Sequence, residues 1–234
     1  MDLKNTTVLI TGAAGSLGQA VAAAFAEAGA RRVLVDVSES GLRTAYPGDD
    51  PQQLLAATDL LDPASVARTI DAVLAKFGRI DALCNIAGGF TMGTPVHATP
   101  AADWKKMWDI NTQTMLNAVQ AVVPKMLAAG GGRIVNIGAG PGLKGAALMG
   151  AYSVAKSAVI RLTEAMSAEL REQNINVNCV LPSTIDTPPN RAAMPDADPS
   201  RWVAPRDLAT VIRFLCSDEA RAIHGAAIPV VGLS

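Results

Sequence analysis

Hydrophobic residues along the chain fall into two alternating patterns. Short, nearly unbroken apolar runs predict six strands: "TTVLIT" (6–11), "RRVLVD" (31–36), "LLAAT" (54–58), "IDALCNIAG" (80–88), "GRIVNIG" (132–138) and "INVNCVLP" (175–182). Between them, apolar positions recur at helical spacing over 16–28, 63–77, 103–128, 150–173 and 205–217. Strands with so few polar residues are expected to be covered on both faces, as in a parallel sheet flanked by helices. The expected fold is α/β, a Rossmann-type doubly wound parallel sheet, in a single domain spanning 1–234. No internal repeat or linker divides the chain.

Two stretches break the rhythm. The segment 38–53 contains "YPGDDP", which predicts a turn, so the helix after the second strand is expected to be short or missing. The proline-rich "DTPPNRAAMPDADPSRW" (186–202) follows the sixth strand. Ligands of open α/β sheets bind beyond the carboxyl ends of the strands, so a loop at about 186–203 is expected to cover the substrate.

Composition narrows the function classes. Half of the 234 residues are hydrophobic, 18% are charged and the net charge is -1, which indicates neither a disordered chain nor a nucleic-acid-binding surface. No run stays apolar for the ~20 residues that a membrane span requires, and the first residues lack the pattern of a secretion signal. A soluble, cytoplasmic protein acting on a small molecule is expected. Cys84, Cys179 and Cys216 are odd in number and lie in apolar runs, so buried packing is expected rather than disulfides or a metal knuckle. His97 and His224 stand alone, and no cluster suggests a metal. Trp104 and Trp108 share a helix face, which favours packing, whereas Trp202, in the loop, is better placed to touch a flat substrate.

Candidate chemistry begins at "VLITGAAGSLGQAV". Gly12, Gly15 and Gly18, with Ser16 and Leu17 between them, join a strand to a helix, giving a tight turn, close backbone approach and free amides facing a phosphate. A plain glycine-rich turn is the bland alternative. Asp36 ends the next strand, where a carboxylate accepts from a ribose 2′-hydroxyl and repels a 2′-phosphate, so NAD(H) is expected over NADP(H). Arg31 and Arg32 start that strand, too far along it to hold such a phosphate.

Farther on, Tyr152 and Lys156 lie four residues apart and project from one helix face. A phenol of pKa about 10 is a weak acid–base group near neutrality, and an adjacent ammonium is expected to lower that value.

Together, "TGAAGSLG", Asp36, Asp59, "CNIAGG", Asn111 and Tyr152-x-x-x-Lys156 resemble the short-chain dehydrogenase/reductase family over the whole chain. The resemblance implies that Asp59 and Leu60 contact the adenine, that Asn85, Ala87 and Gly88 flank its ribose, and that Pro182 to Thr187, Ile185 included, hold the nicotinamide. It gives Tyr152 and Lys156 catalytic roles and counts both among the cofactor-binding residues, Lys156 through the nicotinamide ribose. Asn111 would hold a water linking Lys156 to solvent, its alternative being a solvent-facing helix residue. Pairing of the helices 103–128 and 150–173 between subunits would make a homodimer or homotetramer, the alternative being core packing.

Three positions depart from the family pattern. Ser16 replaces its middle glycine, Ser183 a glycine after Pro182, and Ala139, thirteen residues before Tyr152, its serine. "NIGAGPGLKGAALMGAYSVAKSAV", "CNIAGGF" and "VLPSTIDTPPNRAAMPDADPSRW" are similar to the dihydropteridine reductases within the family, whose motif also lacks that serine. That similarity implies NADH-dependent reduction of a quinonoid dihydropterin or another imine-like compound. Two other readings stand beside it: an alcohol/ketone dehydrogenase working without the serine, and a catalytically idle nucleotide-binding or scaffold protein.

Overall fold

The structure is a computed structural model and describes residues 3–234. All six predicted strands form, at Thr7–Thr11 (β1), Arg31–Asp36 (β2), Gln53–Ala57 (β3), Ala82–Asn85 (β4), Gly132–Ile137 (β5) and Ile175–Pro182 (β6). A seventh, Ala227–Val230 (β7), escaped the pattern because it is short and carries Pro229. It lies at the sheet edge, where proline's missing N–H is tolerated. The order is β3-β2-β1-β4-β5-β6-β7, with all neighbours parallel. The chain starts mid-sheet, runs outward to β3 and returns to β4. Its direction of winding therefore reverses between β1 and β4, the switch point at which such sheets bind ligands.

The helices are Ser16–Glu27 (α1), Glu39–Ala45 (α2), Pro63–Phe77 (α3), Ala101–Trp108 (α4), Thr114–Ala128 (α5), Gly150–Leu170 (α6), Pro188–Ala193 (α7) and Pro205–Leu215 (α8). Because successive strand side chains point to opposite faces, the apolar runs supply two cores at once. Val8 and Ile10 of β1 join Val21 and Phe25 of α1 and Leu208 and Ile212 of α8. Leu9, between them, joins Ile70 of α3, Val122 of α5 and Val159 of α6. Each fully buried side chain of this size contributes roughly 1.5–3 kcal/mol. As expected, the three cysteines are free and buried.

The first interrupted segment carries a short helix, within the expectation, and the second is more ordered than the pattern suggests. The helix after β2 exists but has seven residues, started by Ser38 Oγ accepting from Gly41 N at 3.0 Å. The predicted helix 103–128 is α4 and α5 joined through a single wide turn with π-type hydrogen bonds, Asp109–Gln113. Within the loop 186–203, Thr187 Oγ1 caps α7 by accepting from Asn190 N at 3.3 Å. Its ends are pinned by a parallel bridge between Ile185 and Val203, with Asp186 N donating to Val203 O at 2.8 Å.

Among the described residues no helix is long and apolar enough to cross a membrane, and no group of histidine, cysteine and carboxylate side chains could hold a metal.

Candidate active site

The glycine loop sits at the carboxyl end of β1. Gly12 has φ +65°, and a Cβ there would lie 2.9 Å from the backbone of Ala87. A Cβ on Gly18 would lie 2.2 Å from Gly12 O, so only glycine lets α1 approach the turn. Gly15 precedes α1, whose amino end, beginning with Ser16 and Leu17, has no side-chain cap and no acidic residue in its first turn. Those free amides and the positive helix end suit a diphosphate, so the residues present fit a dinucleotide. Thr11 Oγ1 accepts from Ile86 N at 3.0 Å and Ala87 N at 3.1 Å, joining the loops after β1 and β4. Tyr46, which the pattern did not single out, donates to Ala13 O at 2.6 Å and braces the glycine loop.

Asp36 reaches this loop. Its Oδ2 accepts from Ala14 N at 3.1 Å and its Oδ1 from Ser38 N at 3.4 Å. An open cleft of about 450 Å³ beside it is lined by Ala14, Gln19, Ser38, Ser40, Gly41 and Thr44. Arg32, at the other end of β2, pairs with Asp50. Asp59 and Leu60 follow β3, adjacent to Asp36 through Thr58 N donating to Asp36 O at 2.8 Å. Asp59 Oδ1 also accepts from Leu61 N at 2.8 Å, a turn-capping contact. A larger hollow, about 840 Å³, lies at the amino ends of β1 and β2 among Leu3, Ala28, Val211 and Phe214 and includes none of the sequence-identified residues.

Beyond β4 the geometry refines the expectations. Asn85 is 5% exposed and donates to Asn136 Oδ1 at 2.8 Å, which braces the strand ends from beneath, while Ala87 and Gly88 form the loop above. Asn111, in the π turn, is 2% exposed, which rules out the solvent-facing alternative. Its Oδ1 accepts from Gly89 N at 3.1 Å, and its Nδ2 donates to Gly89 O at 3.0 Å and Met107 O at 3.0 Å. A Cβ on Gly88 would lie 2.7 Å from Asn111 Oδ1 and 3.5 Å from Lys156 Nζ, so this loop, Asn111 and Lys156 converge.

Tyr152 and Lys156 stand on α6, with the Lys156 ammonium 5.9 Å from the Tyr152 ring centroid. Lys156 Nζ donates to Ile137 O at 2.8 Å. Burial pushes the Tyr152 phenol up to about 12 and the Lys156 ammonium down to about 8, the latter opposed by the nearby Cys179 thiol. The expectation that lysine lowers the phenol pKa therefore needs correction: loss of water raises the phenol, and Lys156, 5.9 Å from the ring centroid, does not offset it. Before Tyr152, Ala139 is 4% exposed and extended. The turn Gly140–Gly142 presses against α6, where a Cβ on Gly142 would lie 2.8 Å from Lys156 C.

At the end of β6, Pro182 pairs with Val230, and beyond it Ile185 and Thr187 anchor the loop as described above. Ser183 Oγ donates to Val231 O at 2.8 Å, tying that segment to the end of the chain. Trp202 is half-buried beside Val203.

The arrangement unites a glycine-rich turn before an uncapped helix, a carboxylate at the second strand and a half-buried tyrosine beside a buried lysine. The sequence pattern of the family described as short chain dehydrogenase matches residues 6–198. The chain belongs to the short chain dehydrogenase family. A 3-oxoacyl-[acyl-carrier-protein] reductase of Thermotoga maritima is 32% identical over 99% of this chain and 98% of its own length. Levodione reductase of Leifsonia aquatica is 30% identical over 96% of this chain and 92% of its own. A crystal structure of NAD+-bound xylitol dehydrogenase superposes with a TM-score of 0.89 at 27% identity, covering 99% of this chain and 100% of that one. As a short chain dehydrogenase, the protein is an NAD(P)-dependent oxidoreductase acting on small molecules.

One neighbour of the pair is not announced by the sequence pattern. Phe90 meets the Tyr152 ring edge-on, with centroids 4.9 Å apart, although 62 residues separate them in the chain. Its only sequence signal was membership of "CNIAGGF".

Proposed function

We propose that the chain is an NADH-dependent reductase of a small imine-like or quinonoid substrate, a quinonoid dihydropterin being the candidate suggested by the serine-free motif. The observation carrying this reading is the segment 138–143, "GAGPGL", which contains no side-chain donor and holds a buried alanine where the family has serine. Losing such a donor costs ~10²–10³ in rate when charge develops on a carbonyl oxygen. A substrate that spreads the charge over a ring, or is already protonated, needs the donor less.

When bound, the dinucleotide supplies the hydride. The uncapped end of α1 holds its diphosphate, and Asp36 accepts from its adenine ribose and disfavours a 2′-phosphate. Asp59, Leu60, Ala87 and Gly88 border the adenosine half, and Pro182, Ile185 and Thr187 the nicotinamide half. Burial keeps the Tyr152 phenol protonated at neutral pH, so it is suited to give a proton to the substrate heteroatom during reduction. Lys156, whose charge burial makes easy to lose, restores that proton. Asn111 holds the loop beneath them. We further propose that the chain acts as a single cytoplasmic domain within a homodimer or homotetramer.

The relatives named above support a second reading, an alcohol/ketone dehydrogenase working without the serine. The converging Tyr152 and Lys156 weigh against an idle scaffold. NADH oxidation measured with a quinonoid dihydropterin, cyclic imines, quinones and simple ketones decides among them. Faster turnover of the first three classes supports the proposal. Ordinary ketone turnover, left unchanged by Ala139→Ser, replaces it with the second reading.

A further inference from the structure

Phe90 is 56% exposed, yet its ring meets Tyr152 at 4.9 Å with the planes 87° apart, so much of it faces solvent beside the reacting phenol. Its position is fixed from behind. The buried Asn111 amide both accepts from and donates to Gly89, the residue immediately before it. A Cβ on Gly89 would lie 2.6 Å from Ile110 Cδ1, so the backbone cannot retreat easily. The same loop carries Met92, 52% exposed, and the loop before α6 carries Leu143 and Leu148, 58% and 42% exposed. Gly93 N donates to Leu148 O at 2.9 Å, tying the two loops together. Across 88–93 and 143–149 the one charged side chain is Lys144. Exposed apolar side chains on two joined loops, one of which places Phe90 against a polar reacting group, mark a binding surface for an apolar body.

We propose that Phe90 is a substrate-positioning residue that selects a flat, cyclic, conjugated substrate over an open-chain one by offering its ring as a stacking partner beside Tyr152. This rests on the reductase reading of the site and names the substrate class for it. Aromatic contact adds roughly tenfold in affinity beyond the area buried. An open-chain polyol would find few partners for its hydroxyls on this rim.

The test compares the parent with Phe90→Leu, which keeps apolar bulk without the ring, and Phe90→Trp, which restores a ring. Measured for each are kcat and KM for 9,10-phenanthrenequinone and for 2-hexanone, NADH affinity by fluorescence, and calorimetric binding of 2-naphthol, a flat compound that is not reduced. Phe90→Leu is expected to raise the quinone KM and weaken 2-naphthol roughly tenfold, with 2-hexanone and NADH affinity unchanged and Phe90→Trp restoring both. An equal loss for both substrates, or 2-naphthol binding absent from the parent or indifferent to the ring, overturns the proposal. If the parent oxidises no NADH while 2-naphthol binding still depends on Phe90, the reductase reading fails and the platform stands. If turnover is present but blind to Phe90, the platform fails and the reductase reading stands.

Discussion

Replacing Lys156 by methionine isolates the cost of burying its charge. The side chain is 5% exposed, and burial moves its pKa from 10.5 to about 8. In the unfolded chain the lysine keeps its ordinary value, so between pH 8 and 10.5 the unfolded state holds more protons and stability rises with pH. Below pH 8 the folded protein carries the whole penalty, and above 10.5 almost none. The two pKa values correspond to about 3 kcal/mol at pH 7 and about 1 kcal/mol at pH 10. Methionine has similar bulk and no charge, so the stability of Lys156→Met relative to the parent should fall by about 2 kcal/mol between those pH values. Loss of the hydrogen bond to Ile137 O enters at both points, and titrating groups remote from Lys156 cancel, Cys179, whose thiol pKa the lysine lowers, being the exception. Urea unfolding of both proteins at pH 7 and pH 10 measures the difference. A gap that moves by less than about 0.5 kcal/mol would mean that Lys156 titrates normally in the fold, and the desolvation argument would be wrong.

Three further outcomes follow from the geometry. Tyr152→Phe should lower kcat by at least ~10² while NADH affinity stays within about twofold, because the phenol gives the proton without holding the dinucleotide; near-parental turnover would move that role elsewhere. Asp36→Ser should strengthen NADPH binding at least tenfold relative to NADH in competitive titration, since a carboxylate beside the glycine loop repels a 2′-phosphate, and an unchanged ratio would show that it faces away. Gly18→Ala should weaken NADH binding and lower the unfolding free energy by ~1–3 kcal/mol, because the added carbon meets Gly12 O at 2.2 Å; a neutral effect by titration and urea melts would mean that the loop shifts freely.

The sequence by itself determined the alternation of strands and helices, the parallel sheet, the glycine loop with Asp36 at the next strand, and the tyrosine–lysine pair. Those features are written in local periodicity and in motifs whose residues lie close along the chain, so they survive without knowledge of contacts. Tertiary structure decided what depends on distant segments meeting. Strand β7 is too short to announce itself and exists because β6 offers it an edge. Asn111 could equally have faced solvent; the π turn and the loop after β4 turn it inward to grip Gly89. Phe90 came to Tyr152 by the same folding, across 62 residues that no short pattern links. The sequence suggested that Lys156 would draw the phenol pKa down, since spacing alone conveys attraction between neighbours. Only the packed structure discloses how much water both groups lose, and that loss drives the two values in the opposite directions.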